Sequence, residues 1–148
     1  MKLNNTESSF FTTGKGLRQG DPLSPLLFNI VVDALTRMLA KVANHQLISV
    51  RCPEVCPGGI ICLQYADDTI LFFDNNLEHA NNLKIVLCCF EQVSGMRINY
   101  NKSELIPINL EEEELTPFIT SLGYSQGNFP IKYLGIPLHF EKLSREDI

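Results

Sequence analysis

Residues 60–73 read IICLQYADDTILFF, two apolar runs interrupted by a pair of adjacent aspartates. The runs are rich in aliphatic and aromatic residues that favour strands, whereas Asp is common in turns. We therefore predict a β-hairpin with Asp67 and Asp68 at its tip. Two neighbouring carboxylates repel each other unless a cation lies between them. Turn chemistry alone is one interpretation of this pair, and a Mg²⁺ site is the other.

A long helix is predicted on the N-terminal side of this hairpin. The loop at residues 14–25 contains three glycines and two prolines. It leads to a helix start that Asp21 or Ser24 can cap, with Pro22 or Pro25 in the first helical position. Apolar residues then recur at helical spacing, which predicts a core helix with a wide buried face. That face comprises Leu27, Ile30, Val31, Ala34, Leu35, Met38, Leu39 and Val42.

The C-terminal side of the hairpin contains a second amphipathic helix, which we expect to end at Gly95. Its apolar positions are Leu77, Ala80, Leu83, Val86, Leu87, Phe90 and Val93. The acidic run Glu111–Glu114 is typical of a first helical turn, because negative charge suits a helix N-terminus. Further strands are predicted in LISVRC (47–52), MRINY (96–100) and LIPI (105–108), and a short hairpin in residues 3–13. FPIKYLGIPL (129–138) is predicted to be a strand or hairpin edge, because its two prolines would be awkward in a central strand.

The chain has 148 residues, of which 45% are hydrophobic and 20% charged. That length suits one core, so we expect a single domain over residues 1–148. Its class would be α+β, with helices packed on one face of a small antiparallel sheet.

Charge and targeting signals restrict the function. The formal net charge is −5, which argues against a stand-alone nucleic-acid binder, since phosphate affinity comes mainly from clustered Lys and Arg. Neither a secretory signal nor a membrane span is recognisable, so we expect an intracellular protein, nuclear or cytoplasmic. The five cysteines are expected to be free thiols that bind no zinc, with Cys62, Cys88 and Cys89 as small core residues.

Two longer motifs change the interpretation of the aspartate pair. Tyr65-Ala66-Asp67-Asp68 resembles the YADD box of reverse transcriptases, and residues 18–25 read RQGDPLSP, which looks like another box of that family in full. The segment SGMRINYNKS (94–103) is similar to the helix-to-strand region that follows the catalytic hairpin. YLGIPL (133–138) resembles the YLG-type element of plant non-LTR retrotransposons. The sequence thus resembles the C-terminal palm of a non-LTR reverse transcriptase over nearly its whole length.

The resemblance implies template-directed nucleotidyl transfer with Mg²⁺ or Mn²⁺ as the cofactor. An RNA template, a DNA primer and a deoxynucleoside triphosphate would be the partners. Asp67 and Asp68 would be metal ligands, and Tyr65 would lie against the primer end. Tyr133, Leu134 and Gly135 would help to hold the primer, with edge-strand packing as the alternative.

The loop and a downstream lysine have roles implied by the same resemblance. Arg18, Gln19 and Gly20 match the residues that touch the template and the nascent base pair; for Gly20 an ordinary loop glycine is the alternative. Lys102 matches a lysine proposed to protonate the departing pyrophosphate. A solvent-exposed turn lysine is the alternative, because a general acid needs a pKa lowered by its surroundings.

The chain departs from the family pattern before Gly16. Members of the family place another metal-binding aspartate on a strand that precedes the RQG box, whereas the fifteen residues before Gly16 contain no Asp. We therefore expect this chain alone to be inactive, as a fragment of an RNA-directed DNA polymerase. A non-catalytic relic of a retroelement, or a protein-interaction remnant, is the alternative. A small two-metal phosphoesterase is a third reading, for which the sequence provides no further ligands at useful spacing.

Overall fold

The computed structural model describes residues 2–3, 6–7, 20–51 and 57–139. Within these residues, three helices and several short strands form a mixed structure, consistent with the predicted α+β class. The helices are α1 (Leu23–Asn44), α2 (Leu77–Ser94) and α3 (Glu112–Leu122), and a 3₁₀ turn spans Tyr100–Lys102. The strands are β1 (Lys2–Leu3), β2 (Thr6–Glu7), β3 (Cys62–Tyr65), β4 (Asp68–Leu71), β5 (Glu104–Leu105), β6 (Ser125–Gln126), β7 (Ile131–Tyr133) and β8 (Ile136–Leu138).

The strands of the described residues form four separate two-stranded ladders rather than one sheet. β1–β2, β3–β4 and β7–β8 are antiparallel hairpins, but β5 and β6 pair in parallel. The prediction of a single antiparallel sheet with helices on one face is therefore not confirmed. The predicted hairpin at 3–13 lies largely outside the described residues, among which β1 and β2 pair at residues 2–7. The segment 129–138, predicted as a strand or hairpin edge, contains the β7–β8 hairpin.

Three predicted strands were wrong or too long. The 96–100 run is irregular and leads into the 3₁₀ turn, and of the 105–108 run only Leu105 lies in a strand. Within 47–51, only Arg51 pairs, in an isolated bridge to Ile60. Apolar residues in these runs reflect burial as well as strand formation, since Ile48 and Leu105 are buried in the two hydrophobic clusters described below.

Two hydrophobic clusters join the three helices. The first packs α1 against α2, and Leu39, fully buried at its centre, is worth about 1.5–3 kcal/mol by area. The second packs α2 against α3. The first cluster contains the buried residues Leu35, Leu39, Ile48, Leu83, Val86, Leu87 and Phe90, and the second Ala80, Leu105, Leu115, Phe118 and Leu122.

The first half of α1 is more exposed than its apolar spacing predicts. Pro22 is the N-cap residue, and the carboxylate of Asp21 accepts a hydrogen bond from the Leu23 N–H at 2.9 Å, while Ser24 lies inside the helix. Among the helix residues only Leu35 and Leu39 are buried, whereas Ile30 is 60% exposed. The predicted wide buried face is therefore wrong over the first two turns. Periodicity shows which residues share a face, but not whether a neighbour covers it.

Helix α2 ends as predicted, at Gly95 with a φ of 72°. It begins at Asn76, whose side chain accepts hydrogen bonds from the N–H groups of Glu78 and His79. Cys88 and Cys89 are exposed on α2, so their assignment to the core was wrong, whereas Cys62 packs against the first cluster. Within the described residues, no helix is long and apolar enough to cross a membrane.

Candidate active site

The aspartate pair lies at the tip of the β3–β4 hairpin, as predicted. Tyr65 pairs with Asp68, so Ala66 and Asp67 form a two-residue turn. Ala66 has a φ of 50°, a left-handed conformation that β-carbons disfavour. Both aspartates are exposed. The turn therefore presents two adjacent carboxylates to solvent.

The base of this hairpin is held by the protein core. Cys62 and Leu71 pair across the ladder and pack against the first hydrophobic cluster. The N–H of Phe72 donates to the carbonyl of Ile61 at 2.8 Å, which extends the pairing by one step. An anchored base and a short turn restrict where the aspartates can move, as a preorganised site requires.

A groove of about 650 Å³ separates this hairpin from the start of α1. Phe28 and Tyr65 face it from opposite sides, and the buried Oε1 of Gln64, which also lines it, has no hydrogen-bond partner. The wall is completed by residues of both sequence motifs, so the fold brings the two boxes together. The lining comprises Ser24, Pro25, Phe28, Asn29, Gln64, Tyr65 and Ala66.

The donor set at the tip suits a hard divalent cation only in part. Carboxylate oxygens are ligands that Mg²⁺ and Mn²⁺ accept, but Mg²⁺ requires an octahedral shell. Asp67 and Asp68 can contribute two carboxylates to that octahedral shell. In the described ranges, no three His, Cys, Asp or Glu side chains are grouped so that they could hold a metal ion. The pair therefore fits as part of a metal site that needs further oxygen ligands.

Two other predicted residues lie in turns of their own. Lys102 is exposed at the end of the 3₁₀ turn, where its N–H donates to the carbonyl of Asn99 at 3.0 Å. Gly20 is exposed with a φ of 85°, and a β-carbon there would meet nothing within 4 Å, so its backbone conformation is what favours glycine. Arg18 and Gln19 lie outside the described residues.

The predicted primer-holding element is the β7–β8 hairpin. Its tip is formed by Leu134 and Gly135, with φ values of 53° and 83°, between the paired residues Tyr133 and Ile136. Tyr65 lines the groove beside the aspartates, whereas Lys102 and the β7–β8 hairpin do not. The structure thus joins the two boxes and leaves Lys102 and the β7–β8 hairpin outside that groove.

Sequence reasoning missed Phe28 and Asn29 as groove residues. Together with Ser24 and Pro25 they recur at positions i, i+1, i+4 and i+5, which lie on one side of a helix. That spacing, directly after the RQG segment, was the available signal.

Comparison with protein families identifies the domain. Residues 1–138 match the family model described as reverse transcriptase (RNA-dependent DNA polymerase). The chain belongs to the reverse transcriptase family. Its relatives in that family are encoded by non-LTR retrotransposons, as the two boxes suggested.

Three of these relatives indicate how much of a reverse transcriptase is present. The chain is 37% identical over 87 residues to the Pol polyprotein of the type-1 element R2 from Popillia japonica, covering 59% of this chain and 13% of that protein. It is 28% identical to the Pol polyprotein of the type-2 element R2DM from Drosophila melanogaster. That match covers 87% of this chain and 12% of the Drosophila protein. The transposon TX1 149 kDa protein from Xenopus laevis is 28% identical to this chain. The match covers 96% of this chain and 10% of the Xenopus protein. The chain spans about an eighth or less of the length of these relatives.

Proposed function

We propose that this chain forms the part of an RNA-directed DNA polymerase palm that holds two catalytic aspartates, within a larger polymerase. The observation that supports this most is the groove across which Ser24 and Pro25, at the end of the RQGDPLSP box, face Tyr65 and Ala66 of the aspartate hairpin. The preference of Asp for turns is enough to explain an Asp-Asp turn. It does not explain why Ser24 and Pro25 of the RQGDPLSP box lie across a groove from that turn.

In this proposal Asp67 and Asp68 hold Mg²⁺, or Mn²⁺, at the tip of the hairpin. When bound, such ions would stabilise the negative charge on the attacking and leaving oxygens. The two carboxylates provide only part of an octahedral shell. The triphosphate of the incoming nucleotide and a carboxylate outside these 148 residues provide the remaining oxygens.

The substrates are a DNA primer on an RNA template and a deoxynucleoside triphosphate. The 3′-hydroxyl oxygen of the primer forms a bond to the α-phosphorus while the hydroxyl proton passes to solvent, and the bond from that phosphorus to the bridging oxygen breaks, releasing pyrophosphate. Tyr65, 62% exposed beside the groove, lies against the primer end. Tyr133, Leu134 and Gly135 hold the primer further along, while Arg18, Gln19 and Gly20 contact the template and the nascent base pair.

Lys102 donates the proton that the departing pyrophosphate takes up. Its ammonium group has three donors on a flexible stem, so its reach depends on where the backbone holds it. The exposed position of Lys102 beside a 3₁₀ turn leaves the ammonium free to approach a bound substrate.

Titration with Mn²⁺ tests this proposal. We compare this chain with the same chain extended at its N-terminus by a family-type Asp-bearing strand, and with Asp67→Asn and Asp33→Asn variants of the extended chain. Each added carboxylate contributes on the order of 1 kcal/mol or more near the surface, so the extension should tighten Mn²⁺ binding roughly tenfold. Asp67→Asn should reverse the gain. Asp33 is an exposed aspartate on α1 that pairs with Arg37, so Asp33→Asn should not.

The contradicting results are equally specific. Binding that does not tighten on extension, or that survives Asp67→Asn, would leave the hairpin tip as an ordinary turn. An extended chain that binds Mn²⁺ but does not extend a primer on an RNA template would refute the polymerase assignment.

A further inference from the structure

The backbone around Lys102 is held by two neighbouring helices. Helix α2 contributes Glu91, whose Oε1 accepts a hydrogen bond from the N–H of Ile98 at 2.7 Å. Both residues are half-buried. A charged acceptor shortens and strengthens such a bond. The irregular segment between α2 and the 3₁₀ turn is therefore fixed at Ile98.

An aromatic pair fixes the turn itself. Tyr100 begins the 3₁₀ turn and stacks on Tyr124, which follows α3, with ring centroids 5.4 Å apart and planes inclined by 21°. The pKa of Tyr124 is raised to about 12, mainly by burial and to a smaller extent by the charges of Tyr100, Glu91 and Cys88. The pKa of Tyr100 is also raised, by burial first. Both phenols thus stay neutral at the pH of a polymerase assay.

The segment after Lys102 is held by the residues that follow α3. The hydroxyl of Ser103 donates to the carbonyl of Asn99 at 3.0 Å, which closes the turn. Glu104 then enters the parallel β5–β6 ladder opposite Ser125. Because Ser125 follows Tyr124 directly, one short segment after α3 contacts the chain both before and after Lys102.

We infer that Tyr124, Tyr100 and Glu91 are positioning residues for Lys102: they set where the lysine backbone stands and hence where its ammonium can donate a proton. This inference rests on the proposed function for the role of Lys102, but the positioning itself is a separate property of the fold. A lysine on an unrestrained loop would spend little time within hydrogen-bond distance of a leaving group.

Amide hydrogen exchange in the 148-residue chain tests the positioning. We expect Tyr124→Leu to raise exchange at the Lys102 N–H by about three- to tenfold, which is the loss of one aromatic pair, and Tyr124→Phe to leave it unchanged. Phe129→Leu is the matched control, because it removes a different aromatic contact, with His139 at 5.6 Å. Exchange at Leu39, in the centre of α1, reports global stability.

Three outcomes would overturn the inference. Exchange at Lys102 could stay unchanged in Tyr124→Leu, or rise equally in Tyr124→Phe, or rise only together with exchange at Leu39. Each would show that the stack does not hold the turn locally.

A double-mutant cycle separates this inference from the proposed function. In an extended chain that copies RNA, Tyr124→Leu should slow extension, and it should slow it no further when Lys102→Leu is already present. Additive losses would contradict the coupling to Lys102. If Lys102→Leu alone has no effect, or if no extended chain polymerises, the proposed function fails, while the exchange result still decides the positioning.

Discussion

At the scale of single residues, the tip of the β3–β4 hairpin combines two unfavourable features. Asp67 and Asp68 place like charges side by side, and Ala66 adopts a left-handed φ of 50°. Asn or Gly would suit that backbone better than Ala. Strain of this kind persists where neighbouring structure imposes it, and it is frequent at functional sites. The tip therefore combines backbone strain with like charges, as the proposed metal site would require.

The strain at Ala66 predicts an unusual response to glycine. We expect Ala66→Gly to raise the free energy of unfolding by about 0.5 kcal/mol, and Ala66→Val to lower it by about 1 kcal/mol, because a β-branched side chain tolerates positive φ poorly. Urea unfolding measures both. Ala34→Gly, in the middle of α1, is the matched control and should lower stability by about 1 kcal/mol. A loss of stability in Ala66→Gly would show that the left-handed turn costs nothing.

Asp74 is a second residue whose ionisation matters. Its Oδ1 lies 2.9 Å from Nδ1 of His79, and both side chains are largely buried where β4 leads into α2. Burial by itself raises the pKa of Asp74, but hydrogen bonding and the charge of His79 outweigh it and hold the pKa below its usual value. The ionised carboxylate is thus favoured by folding.

The lowered pKa of Asp74 predicts acid sensitivity. Its contribution to stability should be complete above about pH 5 and should be lost as the pH falls through 4 toward the lower pKa of the folded state. Asp74→Asn should therefore flatten the dependence of unfolding free energy on pH between 5 and 3, and cost about 1 kcal/mol at pH 7. Urea unfolding at several pH values measures this. An unchanged acid dependence in Asp74→Asn, with Asp33→Asn as control, would assign it to other groups.

At the scale of elements, α1 consists of two unlike halves. The second half packs against α2 through Leu35 and Leu39, with Arg37 and Lys41 exposed. The first half, beside the groove, has a row of exposed apolar side chains at helical spacing. These are Leu23, Leu26, Leu27 and Ile30. The core therefore fixes the helix at one end, and the other end extends along the groove.

This division predicts opposite outcomes for two truncations in α1. Leu39→Ala should lower the free energy of unfolding by about 3 kcal/mol, since it leaves a cavity in the first cluster. Ile30→Ala should change it by less than about 0.5 kcal/mol, as expected for an exposed site. Chemical denaturation of the two variants provides the comparison. A large loss in Ile30→Ala would mean that another segment covers the start of the helix.

At the scale of the whole molecule, hydrophobic stability and the proposed chemistry lie in different places. The two clusters between the helices form the core, whereas the aspartates, Lys102 and the β7–β8 hairpin tip lie in exposed turns. Within the described residues each strand pairs with a single other strand, so no larger sheet forms there. Such an arrangement suits a part of a larger polymerase, in which additional segments complete both the sheet and the site.

An incomplete site predicts that the 148-residue chain does not extend a primer on an RNA template when Mg²⁺ is present. Two carboxylates leave the octahedral shell unfilled even with a nucleotide bound. Incorporation of a labelled deoxynucleotide at the primer end measures this directly. Templated extension that disappears in Asp67→Asn would contradict the need for a further carboxylate.

The sequence by itself determined those secondary-structure elements that depend only on neighbouring residues in the chain. Strand-forming residues on both sides of Asp67 predict the hairpin, the spacing of apolar residues predicts α2, and Gly95 predicts its end. The RQGDPLSP and YADD motifs identify the family, because a motif of that length is specific whatever its surroundings.

Only the tertiary structure decided which apolar residues are covered and which segments pair. Ile30 and Leu39 follow the same helical pattern, yet one is exposed and the other fully buried. The 96–100 run has the composition of a strand but no pairing partner among the described residues. Glu104 and Leu105 instead pair in parallel with Ser125 and Gln126, in a later part of the chain. The stack of Tyr100 on Tyr124, which places Lys102, has no local signature at all. The physical reason is that burial and pairing are properties of two surfaces in contact, and a single stretch of sequence contains only one of them.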